Sequence, residues 1–167
     1  KGLSKAAKKA DRVAAEGIIA LFSENGRAIM VEINSETDFV AKNETFKNLC
    51  TKTLELINQN NINDIESLKN LKVDGVPFDD YLKGEIAKIG ENIVVRRIAL
   101  LDSTPNTIVG AYLHSNSRIG TLVALKFKNT ESKSKLKELV NNLCMHAAAM
   151  KPKIISGEGF DSEFIAK

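Results

Sequence analysis

The sequence predicts an α+β fold, in which an antiparallel sheet built from a hairpin and a three-stranded meander is covered by helices. One early stretch and three later ones show the alternation or β-branched composition that is typical of strands. Elsewhere apolar residues recur at intervals of three and four, as in helices that bury one face. Packing two or three helices on one sheet face is the natural way to close a core from these elements.

The chain opens with a basic segment and a hairpin. Residues 1–12 are rich in Ala and Lys and predict either a short helix or a frayed leader. Residues 13–35 predict two antiparallel strands, the second of which alternates with period two over residues 29–34. The Asn-Gly pair at 25–26 is a strong signal for the turn between them.

Three helices are predicted after the hairpin. A four-turn apolar stripe runs from Phe46 to Ile57, and a polar stretch ends it. A short helix follows over residues 65–71. Apolar residues over 78–89 then predict a third helix, which ends at Gly90 because glycine commonly closes helices.

The second half predicts three strands and a long helix. Residues 93–101, 107–114 and 118–128 are joined by short turns, and short connections imply antiparallel neighbours, hence the meander. The last helix covers residues 130–150 and ends before Pro152, which disfavours helical geometry in the residue preceding it. Its apolar stripe is expected to contain Leu136, Leu139, Val140, Leu143, Cys144 and Ala147.

Charge is concentrated at the start of the chain. Five basic residues against one acidic residue give residues 1–12 a net charge of +4, whereas the whole chain carries +3. The predicted organisation is a basic leader at 1–12, an α+β core subdomain at 13–153, and the start of a truncated second subdomain at 154–167. A basic patch over the whole domain is not indicated, so no direct contact with nucleic acid is expected.

The sequence also bears on location and redox state. No apolar run approaches the roughly 18–20 residues that span a bilayer, and residues 1–12 lack the apolar core of a signal peptide. A cytoplasmic protein without membrane contact is therefore expected, most simply bacterial, with an organelle matrix as the alternative. Cys50 and Cys144 have no ligand-like spacing and are expected to be buried, reduced thiols.

A search for catalytic chemistry finds no constellation. His114 and His146 lie far apart in the sequence, and no metalloprotease, nucleophile-elbow or P-loop motif is present. Glu36 and Asp38 could be imagined as an acid–base pair, but two acids in a strand-to-helix loop more commonly form a solvated turn. The chain is expected to be a binding module rather than an enzyme, with no cofactor and no metal.

One segment breaks the regular pattern. Phe39 and Val40 are apolar, yet they precede the helical stripe that begins at Phe46. Pattern alone leaves two possibilities for Phe39 and favours the first. It is either a buried staple across the helix start or an exposed anchor that fills a pocket of a partner.

The same segment carries a family resemblance. Residues 32–43, followed by Phe46, resemble the signature of the elongation factor Ts family, whose Thr-Asp-Phe-Val tetrapeptide is intact at 37–40. Further family-like blocks occur in the expected order: Lys88-Ile89-Gly90-Glu91-Asn92-Ile93 with Arg96-Arg97, Arg118-Ile119-Gly120, and Met145-His146-Ala147-Ala148 with Lys151-Pro152. The resemblance therefore covers essentially the whole chain.

The resemblance implies guanine-nucleotide exchange on elongation factor Tu, with release of GDP promoted by displacement of Mg²⁺. It implies that Thr37, Asp38, Phe39 and Val40, here named the tip, enter the partner, with Phe39 as an exposed wedge. It also implies a secondary interface. The residues expected there are Ile119, Gly120 and His146.

Two further expectations concern activity. The family normally has an additional helical region before this segment and a second core half after it, so this chain is expected to exchange nucleotide poorly. The alternative function is a domain that binds RNA or the ribosome through the basic leader. That alternative predicts binding that falls steeply with salt and depends on Lys5, Lys8 and Lys9.

Overall fold

The computed structural model describes residues 2–128 and 133–153, which form six helices and seven strands. The helices are α1 (Gly2–Ala7), α2 (Asp38–Ala41), α3 (Glu44–Asn60), α4 (Ile65–Asn70), α5 (Phe78–Ile89) and α6 (Lys133–Met150). The strands are β1 (Glu16–Glu24), β2 (Arg27–Ser35), β3 (Lys72–Val73), β4 (Val76–Pro77), β5 (Val94–Asp102), β6 (Thr107–Leu113) and β7 (Gly120–Lys126).

The α+β class is confirmed, but its strands are paired differently from the prediction. The β1–β2 hairpin turns at Asn25 and Gly26, both at positive φ, as the Asn-Gly signal requires. The meander of the last three strands is not formed. Instead β5 pairs antiparallel with β2 to give the sheet order β1-β2-β5, while β6 and β7 form a separate two-stranded sheet.

The burial of apolar side chains explains why β5 leaves its sequence neighbour. Paired with β2, it adds Val95, Ile98 and Leu100 to the sheet face that already carries Ile29 and Val31. A pairing with β6 would not place these side chains in that cluster. The short connection from β5 to β6 keeps only an isolated bridge. Burial of the apolar strand therefore outweighs the preference for pairing with the nearest strand in sequence.

The main core lies between the three-stranded sheet and helices α3 to α5. Its largest fully buried side chains include Phe46 and Ile57 from α3, Leu68 from α4 and Phe78 from α5. Gly17 on β1 is required by close packing. Its φ is +127°, and a Cβ there would lie 2.2 Å from the carbonyl oxygen of Ile33. Only glycine satisfies both conditions.

A second layer is formed by β6, β7 and α6. Gly110 on β6 allows close approach of α6, since a Cβ there would meet Val140 Cγ1 at 2.9 Å. Val140, Cys144 and Ala148 are the buried apolar positions of α6, whereas Leu139 and Leu143 are exposed. The buried face is thus narrower than the predicted stripe: Leu136 and Ala147 are half-buried beside Val140 and Cys144, while the two-stranded sheet leaves Leu139 and Leu143 uncovered. Both cysteines are buried and free, as expected.

The basic leader takes part in this fold. Helix α1 packs against α5 with Ala6 buried, so the helical alternative for residues 1–12 applies. Lys9 Nζ donates a 2.5 Å hydrogen bond to the carbonyl oxygen of Gly90. None of the helices in the described ranges is long and apolar enough to cross a membrane. The predicted second subdomain at 154–167 lies outside the described residues.

Candidate functional site

The tip forms the corner between β2 and α3. After β2 ends at Ser35, Thr37 adopts extended geometry and caps the four-residue helix α2, with its Oγ1 accepting from Val40 N at 3.3 Å. Asn43 then caps α3 by accepting from Thr45 N at 2.7 Å. Two caps in succession make the chain turn twice within a few residues, so that α2 is a defined, compact corner.

Phe39 points into solvent at this corner. Its side chain is 82% exposed, whereas its neighbour Val40 packs against the core and Ala41 is buried. Consecutive helical residues point about 100° apart, so anchoring the two residues that follow leaves Phe39 facing outward. The interpretation of Phe39 as a buried staple is therefore wrong, because a staple would require its ring to pack against α3.

Asp38 is ionised beside the exposed ring. Lys42 Nζ lies 2.8 Å from Asp38 Oδ2, one helical turn along the chain. The hydrogen bond from Lys42 and its positive charge, with a smaller contribution from the charge of Arg118, lower the pKa of the Asp38 carboxyl. The tip therefore presents an apolar ring next to a carboxylate at neutral pH.

Glu91 holds the base of the tip from the other side. One carboxylate oxygen accepts from the backbone amides of Glu36 at 3.1 Å and Thr37 at 3.0 Å. The second oxygen accepts from the Thr37 hydroxyl at 2.6 Å. Sequence reasoning did not select Glu91 as a site residue, although it lies inside one of the family-like blocks. Nothing in its local pattern distinguishes it from a surface glutamate.

The expected secondary interface begins near the tip. Ile19 N on β1 donates to the carbonyl oxygen of Ser117 at 2.7 Å, and Arg118 forms an ion pair with Glu16, the residue paired with Ser35. The 118–120 segment thus lies at the end of the sheet from which the tip emerges.

The side chains of this segment differ in their surroundings. Ile119 is half-buried, and its carbonyl oxygen accepts from His114 N at 2.8 Å. Gly120 packs on the main sheet, because a Cβ there would lie 2.8 Å from Met30 Sδ. A larger residue at this position would have to displace the end of the Met30 side chain, so glycine favours the close approach of the two sheets here.

His146 lies on α6 with an exposed side chain. Thr121, the residue after Gly120, donates from Oγ1 to the carbonyl oxygen of Cys144 at 2.7 Å. This bond places the helical turn that carries His146 beside the start of β7. A series of contacts through β1 and then through Thr121 therefore connects the three sequence-predicted segments, which are far apart in the sequence.

Glu36 and His114, two titratable side chains considered above, have hydrogen-bond partners within the fold. No group of three or more His, Cys, Asp or Glu within the described ranges could hold a metal ion. Glu36, one half of the imagined acid–base pair, uses its Oε1 to accept from Asn92 N at 2.6 Å and lies 3.7 Å from Arg12 Nη1. His114 contacts the hydroxyl of Tyr112 at 2.9 Å. These groups are engaged in holding the fold.

Fold and site together define an α+β domain that presents a rigid corner with an exposed aromatic side chain. The family model described as elongation factor TS matches residues 36–167, which is most of the chain. The chain therefore belongs to the elongation factor Ts family.

Curated relatives can be aligned with the full length of the chain. The chain is 55% identical to elongation factor Ts of Wolinella succinogenes, 52% identical to that of Helicobacter hepaticus and 53% identical to that of Helicobacter pylori strain G27. Each match covers 100% of this chain and 48% of the relative. The chain thus spans about half the length of the curated relatives it matches.

Proposed function

We propose that this chain binds elongation factor Tu and promotes the release of GDP by inserting the tip into the partner's nucleotide-binding domain. The observation that carries the proposal is the 82% exposure of Phe39 on a corner fixed by caps and by Glu91. An exposed aromatic on a rigid support is the kind of residue that dominates binding energy when a partner pocket receives it. Membership of the elongation factor Ts family adds independent support.

The mechanism needs no bond-making residue. A P-loop GTPase holds GDP through phosphate contacts and through a Mg²⁺ ion that neutralises phosphate charge. A wedge that displaces the helices positioning this ion weakens nucleotide binding. Phe39 is the wedge, Asp38 supplies the charge beside it, and Thr37 and Val40 set the geometry of the corner. Because binding free energies are reciprocal, GDP must weaken the association of this chain by the same factor.

The secondary interface belongs to the same proposal. Ile119, Gly120 and His146 extend the contact from the tip along the region linked by Ser117 and Thr121. The relatives are bacterial, so a bacterial cytoplasm is the proposed setting.

The test measures release of a fluorescent GDP from elongation factor Tu with and without the 167-residue chain. The chain should accelerate release, but less than a full-length relative does, because contacts made by the other half of the relatives are absent. Phe39→Ala should remove the acceleration, whereas Val76→Ala, which shortens an exposed apolar side chain at the start of β4, should not. Acceleration that survives Phe39→Ala would contradict the role of the tip, and full-length-like acceleration would contradict the expected deficit.

A further inference from the structure

The backbone amides at the base of the tip have no hydrogen-bond partner in a neighbouring strand or helix. Glu36 and Thr37 lie between the end of β2 and the start of α2, so their amides are outside both the strand ladder and the helix. Both amides donate instead to Glu91 Oε2, and the Thr37 hydroxyl donates to Glu91 Oε1. A single carboxylate thus accounts for three donors of the segment that leads into the tip, and bonds to an ionised acceptor are among the stronger hydrogen bonds.

The segment at the base of the tip also holds the segment that contains Glu91. Glu36 Oε1 accepts from the backbone amide of Asn92, the residue after Glu91, at 2.6 Å. Asn92 is buried, and its Nδ2 donates to the carbonyl oxygens of Ala10 at 3.3 Å and Arg12 at 2.7 Å. The 36–37 and 91–92 segments therefore fix each other, and the second is anchored to the leader. Glu91 cannot move away from the tip without breaking bonds on both sides.

We propose that Glu91 is a positioning residue for the tip: its carboxylate holds the backbone of Glu36 and Thr37 so that Phe39 is presented in one orientation. This inference rests on the proposed function for its consequence in binding, while the ordering of the tip is a property of the free chain. A tip that populates the binding-competent orientation only a fraction of the time binds more weakly by that fraction. Glu91 keeps this fraction near one, which lowers the ordering cost of binding.

Two substitutions at Glu91 test the length of its side chain and its charge separately. Glu91→Asp keeps the charge but shortens the side chain by one carbon–carbon bond of about 1.5 Å, which takes the carboxylate out of hydrogen-bond range. Glu91→Gln keeps the reach: its carbonyl oxygen can accept both amides, and its NH2 group can donate to Thr37 Oγ1. Glu66→Asp on α4, where the glutamate is exposed and paired with Lys69, is the matched control.

The experiment uses the whole 167-residue chain and two measurements. Hydrogen exchange by NMR reports protection of the amides of Glu36 and Thr37 in the free chain, and calorimetry reports the Kd for nucleotide-free elongation factor Tu. Glu91→Asp should reduce the protection about tenfold and raise Kd about tenfold. Glu91→Gln should stay within about threefold of the parent chain in both measurements. Glu91→Ala removes all three bonds and should behave like Glu91→Asp.

Each other outcome has a defined meaning. Unchanged protection in Glu91→Asp and Glu91→Ala overturns the inference, as does the opposite order, with Gln impaired and Asp intact. Lost protection with unchanged Kd also overturns it, provided that Phe39→Ala does weaken binding. If the parent chain fails to bind at all, the proposed function fails, and the exchange measurement still decides whether Glu91 orders the tip. Glu91→Ala keeps the test decisive if Glu91→Asp does not fold, because it leaves no displaced charge at the site and does not touch the cap of α2.

Discussion

Replacing Phe39 by alanine should weaken partner binding without weakening the fold. The ring is 82% exposed, so the truncation removes almost no buried surface, and the free energy of unfolding should change by less than about 0.5 kcal/mol. Burying a Phe side chain in a partner pocket contributes about 1.5–3 kcal/mol. Its loss should raise Kd for elongation factor Tu by roughly tenfold to 150-fold.

A matched control lies seven residues along the chain. Phe46 is 0% exposed in the main core, so Phe46→Ala should cost about 3–5 kcal/mol of stability. For a chain of this size that loss lowers Tm by more than about 6 °C. Thermal melts followed by circular dichroism and titration calorimetry on the same samples compare the two variants. A melt of Phe39→Ala that resembles that of Phe46→Ala, or a Kd unchanged by Phe39→Ala, would refute the reasoning.

Two further predictions concern the fold. Gly17→Ala should lower the free energy of unfolding in urea by more than about 2 kcal/mol. A side chain at φ +127° is strained, and its Cβ would clash with the Ile33 carbonyl oxygen. A change below about 0.5 kcal/mol would show that the hairpin adjusts. Burial raises the pKa of the Cys50 thiol to about 12, so iodoacetamide at pH 8 should label it only after unfolding in guanidinium. Labelling of Cys50 in the native chain at the unfolded rate would contradict its burial.

Local signals were sufficient to predict most of the elements. The Asn25-Gly26 turn, the stripe from Phe46 to Ile57 and the stop at Gly90 are properties of short segments, and each element that they predict is present. Strand pairing between distant segments is not a local property. The position of β5 beside β2 depends on which arrangement buries Val95 and Ile98 with the helices, and no pattern within residues 93–101 contains that information.

At the candidate site, too, local sequence signals were informative and long-range contacts could not be predicted. The tetrapeptide at 37–40 was recognisable as an irregular apolar segment, but the direction of Phe39 depends on where Val40 and Ala41 find their contacts. Periodicity could not decide between a staple and an anchor, because both require an aromatic before the helix. Glu91 was not selected because its role depends on a contact across 54 residues of sequence with Thr37. Only the folded chain brings an ordinary glutamate to two unpaired amides.

The arrangement explains why exposure of Phe39 costs the fold little, and how the same ring would serve the proposed binding. Val40 and Ala41 supply the apolar contacts of α2, so the corner is held without the Phe39 ring. The burial energy of the ring is therefore available in full to the proposed partner. Because the capping bonds and Glu91 already fix the backbone of the tip, ordering this segment on binding costs little free energy. Rigidity of the base and exposure of the ring are thus separate requirements, and substitutions at Glu91 and Phe39 test them one at a time.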